Sequence, residues 1–303
     1  MASIENRLPM DGVGNDVGGG GSRPTSTVQT RRPGDTFEET HSTSPVDLVS
    51  WVVGGMDLAQ VRSVVDLGCG RGRFALAVAR ALGPDGAVHA VDNNQRYLDE
   101  LDRRAQDAGL EIETINADIL DDLAIPEGSA DLVMLNFVLN LMRGPRLDRC
   151  IDRAVRLMHP DGVLHVTAYG RHHMADVYDW MTEALILVGL PPEDATRRTR
   201  RMAAAVPPFT LGVGPERLRQ HFDRVVLDQF HDVLEVTPNE VDVLLGERTY
   251  GSPRFARDLP DGTSIVEIGE AIRGVMRSRT VNGLLPLRCD IGTLTATGRI
   301  DLD

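Results

Sequence analysis

From Arg62 onward, short apolar runs alternate with amphipathic stretches, the pattern of a sheet assembled from βα units. Ser63–Leu67 reads as a buried strand, Arg73–Leu82 as a helix, Ala87–Val91 as a second strand and Gln95–Ala108 as a second helix. Strands continue at Glu111–Ile115, Leu132–Leu135 and Val163–Ala168. Pro84-Asp85-Gly86 and Pro160-Asp161-Gly162 place turn chemistry directly ahead of two of these strands, which supports the register independently of the apolar runs. After Tyr169 the pattern becomes helical, over Met174–Val188 and Ala195–Ala205, broken by Pro191-Pro192 and Pro207-Pro208. Strand character returns at Phe222–Phe230 and Leu284–Thr297, with helices at Asn239–Leu245 and Ile265–Met276 between them. Helices lying between the last strands favour one sheet with insertions over a separate C-terminal domain.

The expected organisation is a flexible N-terminal arm over 1–45 and one domain over 46–303, carrying a helical lid insertion at 171–221 and a helical insertion at 237–282. The arm contains Gly18-Gly19-Gly20-Gly21-Ser22 and a Thr/Ser/Pro-rich continuation, with little apolar material to offset the entropy of ordering. Its last part, Phe37-Glu38-Glu39-Thr40-His41, reads more readily as a plain linker than as a flap over a ligand. Order is expected from Val46, where Leu48, Val49, Val52 and Val53 have helical spacing.

Charge and composition narrow the function. Against 45 acidic residues stand 32 basic ones, a formal net charge of −13 over 303 residues, which argues against a nucleic-acid partner. Every basic residue is Arg, so Schiff-base chemistry on lysine and the lysine of a phosphate-binding P-loop are excluded. The three cysteines, Cys69, Cys150 and Cys289, form no C-x-x-C pair and give neither a zinc site nor a disulfide framework. The densest apolar stretch, Leu132–Met142, is far shorter than the roughly 20 residues that span a bilayer, and the first residues have no secretory pattern. A cytoplasmic protein without a membrane partner is expected, and a homodimer is compatible with it.

The chemistry concentrates at Val64-Val65-Asp66-Leu67-Gly68-Cys69-Gly70-Arg71-Gly72-Arg73, a strand entering a glycine-rich turn and then a helix. Glycines there permit positive φ and let the backbone approach a ligand closely. Asp92, 20 residues past Gly72 at the end of the next strand, is placed to accept hydrogen bonds from ribose hydroxyls. The spacing is G-x-G-x-G rather than the G-x-G-x-x-G of dinucleotide sites, and this speaks against a dehydrogenase.

This segment resembles the first motif of the class I S-adenosylmethionine-dependent methyltransferases, and the resemblance extends over about Asp47–Gly170. Val91-Asp92-Asn93 is similar to that family's ribose-binding acid. Ala117-Asp118-Ile119 is similar to its adenine-edge motif, with Asp118 accepting from the exocyclic amine and Ile119 packing on the ring. Ser129-Ala130-Asp131-Leu132-Val133 resembles its fourth strand, and Leu157–Leu164 the helix-turn-strand that follows. The resemblance implies an α/β fold, a Rossmann-like seven-stranded mostly parallel sheet with a reversed last strand and helices on both faces. It implies S-adenosyl-L-methionine as cofactor, with Asp66, Gly68, Cys69, Gly70, Gly72, Asp92, Asn93, Asp118, Ile119 and Asn136 around it.

Methyl transfer from a sulfonium is an in-line displacement, so positioning matters most, and a base is needed only where the acceptor must lose a proton. Candidate positioners and bases project from the carboxyl ends of the fourth and fifth strands. Asn136, Phe137 and Asn140 follow the fourth; Tyr169, Arg171, His172 and His173 follow the fifth. His172 ranks first as base and His173 second, because imidazole titrates near working pH; Asn136 would orient the substrate or close on the methionine end. A metal at His172, His173 and Asp176 is not expected. Two Trp, four Tyr and seven Phe are too few to suggest an aromatic cage for quaternary amines. The expected activity is transfer of a methyl group to an O, N or C atom of a small metabolite, in specialised biosynthesis. The rival readings are an RNA or protein methyltransferase and a cofactor-binding scaffold that has lost transfer.

Overall fold

The computed structural model describes residues 37–204, 209–245 and 264–300. Most of the expected arm, residues 1–36, lies outside them, as do parts of the two expected insertions, at 205–208 and 246–263. Seven strands form one sheet: β1 (Ser63–Leu67), β2 (Ala87–Asp92), β3 (Glu113–Asn116), β4 (Ala130–Asn136), β5 (Met158–Tyr169), β6 (Phe222–Val236) and β7 (Leu285–Arg299), in the order β3-β2-β1-β4-β5-β7-β6. The first five are mutually parallel, and β7 runs antiparallel to both β5 and β6. The helices are α1 (Phe37–His41), α2 (Leu48–Gly54), α3 (Arg73–Leu82), α4 (Gln95–Ala108), α5 (Pro145–Leu157), α6 (Ala175–Leu187), α7 (Pro192–Ala204), α8 (Gly214–Leu218), α9 (Pro238–Leu245) and α10 (Ile265–Ser278).

Helices on both faces bury the central strands twice, and this is why β1 and β4 read as continuous apolar runs. Successive side chains of β1 enter different cores. Val64 joins Leu132 and Met134 under α2, α3 and α4, whereas Val65 and Leu67 join Val133 and Leu135 against α5. Asp66 therefore points to the same face as α3, at the position where an apolar residue would otherwise fill the core.

Two expectations are corrected. Residues 37–45 were assigned to the flexible arm, yet α1 is followed by a bridge from Ser42 to Leu234 of β6, and Ser42 and Thr43 both donate to the Asp232 carboxylate. These polar anchors substitute for the apolar content that the segment lacks. Pro160-Asp161-Gly162 was read as a turn ahead of its strand, but it lies inside β5, where pairing with β4 shifts register between Ala130 and Leu132. A Cβ on Gly162 would sit 2.6 Å from Met158 Cγ, so this irregularity needs glycine.

Candidate active site

The turn after β1 is fastened to the end of β2. The N–H groups of Gly68 and Cys69 donate to Val91 O at 2.7 and 3.0 Å. The N–H of Gly70 donates to Asp92 Oδ2 at 2.9 Å, and that of Asn94 to Asp92 Oδ1 at 2.8 Å. Gly68, Gly70 and Gly72 all have positive φ, but their surroundings differ. An added Cβ would meet Val138 at 2.6 Å from Gly68 and Leu101 at 2.2 Å from Gly72, whereas at Gly70 it would meet open space. The outer two glycines answer to packing, and the middle one leaves its backbone facing open space. Cys69 is buried and its thiol is pushed well up by burial and by the Asp66 carboxylate, so it is no nucleophile.

Beneath the turn, burial lifts the Asp66 carboxyl to about 7; the Asn136 amide and the Ala75 N–H oppose the rise, and the Asp92 carboxylate adds to it. The Asn136 amide and the Ala75 N–H are the groups that face the Asp66 carboxyl, and neither makes a bond of ordinary geometry to it. Thr167 Oγ1 donates to Asn136 Oδ1 at 2.6 Å, which orients the amide. A buried carboxyl and a buried amide that face each other in poor hydrogen-bond geometry, at the carboxyl ends of adjacent strands, retain capacity for a polar guest.

Asp118 Oδ1 accepts from Leu120 N at 3.0 Å, and Arg146 of α5 reaches Oδ2 at 3.0 Å; the backbone bond and Arg146 hold this carboxyl below its usual range. Ile119 is buried against the turn, 3.3 Å from where a Gly68 Cβ would stand. Asn93 is exposed beside Asp92, while its neighbour Asn94 caps α4.

On the acceptor side Phe137 has φ 58°, a strained value for a non-glycine residue, and its N–H donates to Thr167 O. Its ring lies 6.4 Å from Phe74 and 4.9 Å from Tyr169, and Tyr169 stacks on His173 at 4.3 Å. Glu38 of α1 completes this group: Tyr169 donates its hydroxyl to Glu38 Oε1 at 3.4 Å, and His173 Nε2 lies 3.5 Å from the same oxygen. His173 Nδ1 accepts from Asp290 N at 3.4 Å. His172 and Arg171 are exposed, and His172 is engaged through its backbone N–H, which donates to Asp290 Oδ2. Asn140 is half-buried in the short helical turn Leu139–Leu141. The structure thus gathers Asn136, Phe137, Tyr169 and His173 and leaves Arg171 and His172 at the rim.

Sequence reasoning missed Glu38, Glu39, Arg73, Arg146 and Asp290. Glu38 and Glu39 stand in the stretch read mainly as a linker, and nothing local ties them to Tyr169 or to Arg73, with which Glu39 forms an ion pair. An open groove of about 780 Å3 lies elsewhere on α7, lined by Pro192, Glu193, Thr196, Arg197, Arg200 and Arg201, and shares no residue with the glycine turn. Among the described residues no three His, Cys, Asp or Glu side chains group as a metal site, and no helix is long and apolar enough to cross a membrane.

Residues 64–162 match the family described as a methyltransferase domain. The chain carries a class I S-adenosylmethionine-dependent methyltransferase domain. This domain is 34% identical over 100 residues to demethylmenaquinone methyltransferase of Lactobacillus johnsonii, covering 32% of this chain and 40% of that protein. It is 29% identical over 123 residues to a tRNA N(3)-methylcytidine methyltransferase of Drosophila melanogaster, covering 39% of this chain and 38% of that protein. The chain thus spans well under two thirds of the length of these two relatives. Nocamycin O-methyltransferase of Saccharothrix syringae is 28% identical over 201 residues, 63% of this chain and 70% of that protein. In fold, the chain resembles a solved candidate methyltransferase of Bacillus halodurans, with a TM-score of 0.53, 14% identity, and coverage of 84% of this chain and 99% of that one. S-adenosylmethionine is the cofactor of such a methyltransferase domain, and the residues present fit it: the buried Asp66 and Asn136, whose hydrogen bonding is incomplete, suit a charged amino-acid end, and the bare backbone at Gly70 admits a close ligand.

Proposed function

We propose that this protein transfers a methyl group from S-adenosylmethionine to an O, N or C atom of a small metabolite, in the cytoplasm and within specialised biosynthesis. The observation that carries the reading is the buried Asp66–Asn136 pair, its hydrogen bonding incomplete, beneath a glycine turn that is open at Gly70. When bound, the cofactor supplies an electrophilic methyl on a sulfonium whose charge disappears during transfer, so that positioning contributes most of the rate.

In this reading Asp66, Gly68 and Asn136 hold the methionyl end, Asp92 takes the ribose hydroxyls, and Asp118 and Ile119 border the adenine. Phe137, Asn140, Tyr169 and Arg171 contact the acceptor. Of the two candidate bases, His173 is stacked on Tyr169 but its Nδ1 accepts from Asp290 N and its Nε2 faces Glu38, so it takes a proton only once one of these contacts is released, whereas His172 is exposed and would have to swing in from solvent. The helices of 171–221 and the segment from Phe37 act as the lid that keeps water from the reacting atoms.

A small acceptor is favoured over RNA by the net charge of −13 and by the extent of the similarities. The tRNA relative matches 38% of its own length, whereas the nocamycin relative matches 70% of its own, over more residues than the cofactor-binding segment contains. The test is S-adenosylhomocysteine release on incubation with S-adenosylmethionine and pooled phenols, carboxylic acids and amines. Release with at least one pool is expected, whereas tight cofactor binding without release from any pool would favour the scaffold reading.

A further inference from the structure

We propose that the groove along α7 is a second binding site, for a small molecule that carries a diphosphate, and that Arg200 and Arg201, with Arg197 beside them, hold its phosphate oxygens. The groove shares no residue with the cofactor and acceptor positions described above, so this site stands or falls independently of them.

The sequence of α7 gives the helix two faces of different character. Ala195 and Thr199 are buried toward α6, where the Thr199 and Thr182 hydroxyls share a hydrogen bond at 2.7 Å. With 3.6 residues per turn, turning these two inward leaves Pro192, Glu193, Thr196, Arg197, Arg200 and Arg201 around the remaining face, and these six line the open groove of about 780 Å3. That volume lies within the range of small-molecule sites. The two ends of the groove differ in chemistry. Thr196 spends its hydroxyl on Pro192 O at 2.8 Å, so the first turn offers mainly the proline ring and a methyl group, with the Glu193 carboxylate beside them. An anion is therefore directed to the other end, where Arg200 and Arg201 stand.

The charge of this face runs against that of the chain, which is −13 overall. Four arginines and two acids make up the charged residues of α7. Arg197 is paired with Asp194, but among the described residues neither Arg200 nor Arg201 has a hydrogen bond or an ion pair, and both are exposed. On α5, by contrast, Arg146, Arg153 and Arg156 each face a carboxylate. Arginines three and four positions apart on one helix repel each other, so their positive charge stands uncancelled where the groove opens. Guanidinium forks bind phosphate oxygens bidentately, and neighbouring forks match the charge of a diphosphate better than that of a single carboxylate. The acidity of the chain as a whole favours a small ligand here over a nucleic acid, whose phosphates would extend beyond the arginines.

The experiment is calorimetric titration of the full chain with inorganic pyrophosphate and with a single-stranded oligoribonucleotide, in about 0.15 M salt, where exposed charges more than roughly 8 Å apart are screened. The proteins are the parent, Arg200→Gln, Arg201→Gln and Arg198→Gln. The parent should bind pyrophosphate with a Kd below about 1 mM, and Arg200→Gln and Arg201→Gln should each weaken it about tenfold, the size of one charge-assisted hydrogen bond. Arg198→Gln removes the same charge from a half-buried position that does not line the groove, and its affinity should stay within about twofold of the parent's. Binding of pyrophosphate by the parent weaker than about 1 mM would overturn the proposal. Equal losses in all three variants would also overturn it, because they would show a diffuse field rather than a site. Tighter binding of the oligoribonucleotide than of pyrophosphate would overturn it in favour of a nucleic-acid surface.

Discussion

The Asp92 carboxylate accepts the backbone N–H of Gly70 at 2.9 Å, so the acid assigned to the ribose also fastens the glycine turn to the end of β2. Asp92→Ala removes both roles and is expected to weaken S-adenosylhomocysteine binding by at least about tenfold, the cost of losing charge-assisted hydrogen bonds. Asp92→Asn, which retains one acceptor oxygen, should lose less. Five paired residues hold β1 to β2, so both variants should keep a native circular-dichroism spectrum. Unchanged affinity in Asp92→Ala would remove the ribose assignment.

The glycines of the turn should separate folding from binding. Gly72→Ala forces a methyl to within 2.2 Å of Leu101 and is expected to destabilise the fold by about 2 kcal/mol or more. Gly70→Ala meets open space at φ 55°; it should cost about 1 kcal/mol of backbone strain and yet lower cofactor affinity sharply. Melting curves and calorimetry on the two variants check this. Parental affinity in Gly70→Ala would mean that the open space beside it is not where the cofactor lies.

Asp66 gives a pH dependence whose sign follows from its raised value. With the folded-state pKa about 7 against 3.8 for the free side chain, the folded form holds a proton that the unfolded chain releases between pH 4 and 7. Its stabilising contribution is complete below pH 4 and is lost as the pH rises to 7. Buried His165 slopes oppositely: burial lowers it from 6.5 to about 4, so its contribution is lost as the pH falls through that window. Asp66→Asn should therefore gain stability relative to the parent between pH 4 and 7 and then level off, as read from urea midpoints. An ammonium beside Asp66 favours the carboxylate, so cofactor affinity should rise with pH to about 7, by up to about tenfold per unit. A flat profile would contradict an ammonium at Asp66.

The strap from Phe37 depends on polar anchors rather than on apolar burial. Asp232→Ala removes the acceptor used by Ser42 and Thr43, and should speed hydrogen exchange at Thr43, whose N–H donates to Val233 O. Exchange in β1 should stay unchanged. Equal exchange at Thr43 in the two proteins would show that the backbone bridge suffices.

Much of the fold was legible because its signals are local. The bounds of β1, α3 and α4 were read directly from apolar periodicity, and the glycine turn from three residues in sequence. The reversed seventh strand followed from the family resemblance and is observed between β5 and β6. The acceptor side was only half legible. His172 and His173 are adjacent in sequence, and only the turn after β5, held by Asp290, decides which ring faces inward. Glu38 meets Tyr169 across 131 positions, a pairing that no local pattern encodes. Segment 37–45 lacked the apolar content that signals order, since its anchors are hydrogen bonds whose partners lie on β6.

The central claim is that the turn after β1 holds S-adenosylmethionine, and calorimetric titration with S-adenosylmethionine, S-adenosylhomocysteine and NAD in parallel tests it most directly. Micromolar binding of the two sulfur nucleosides and none of NAD is the expected result. Silence from all three, or binding of NAD alone, would contradict it.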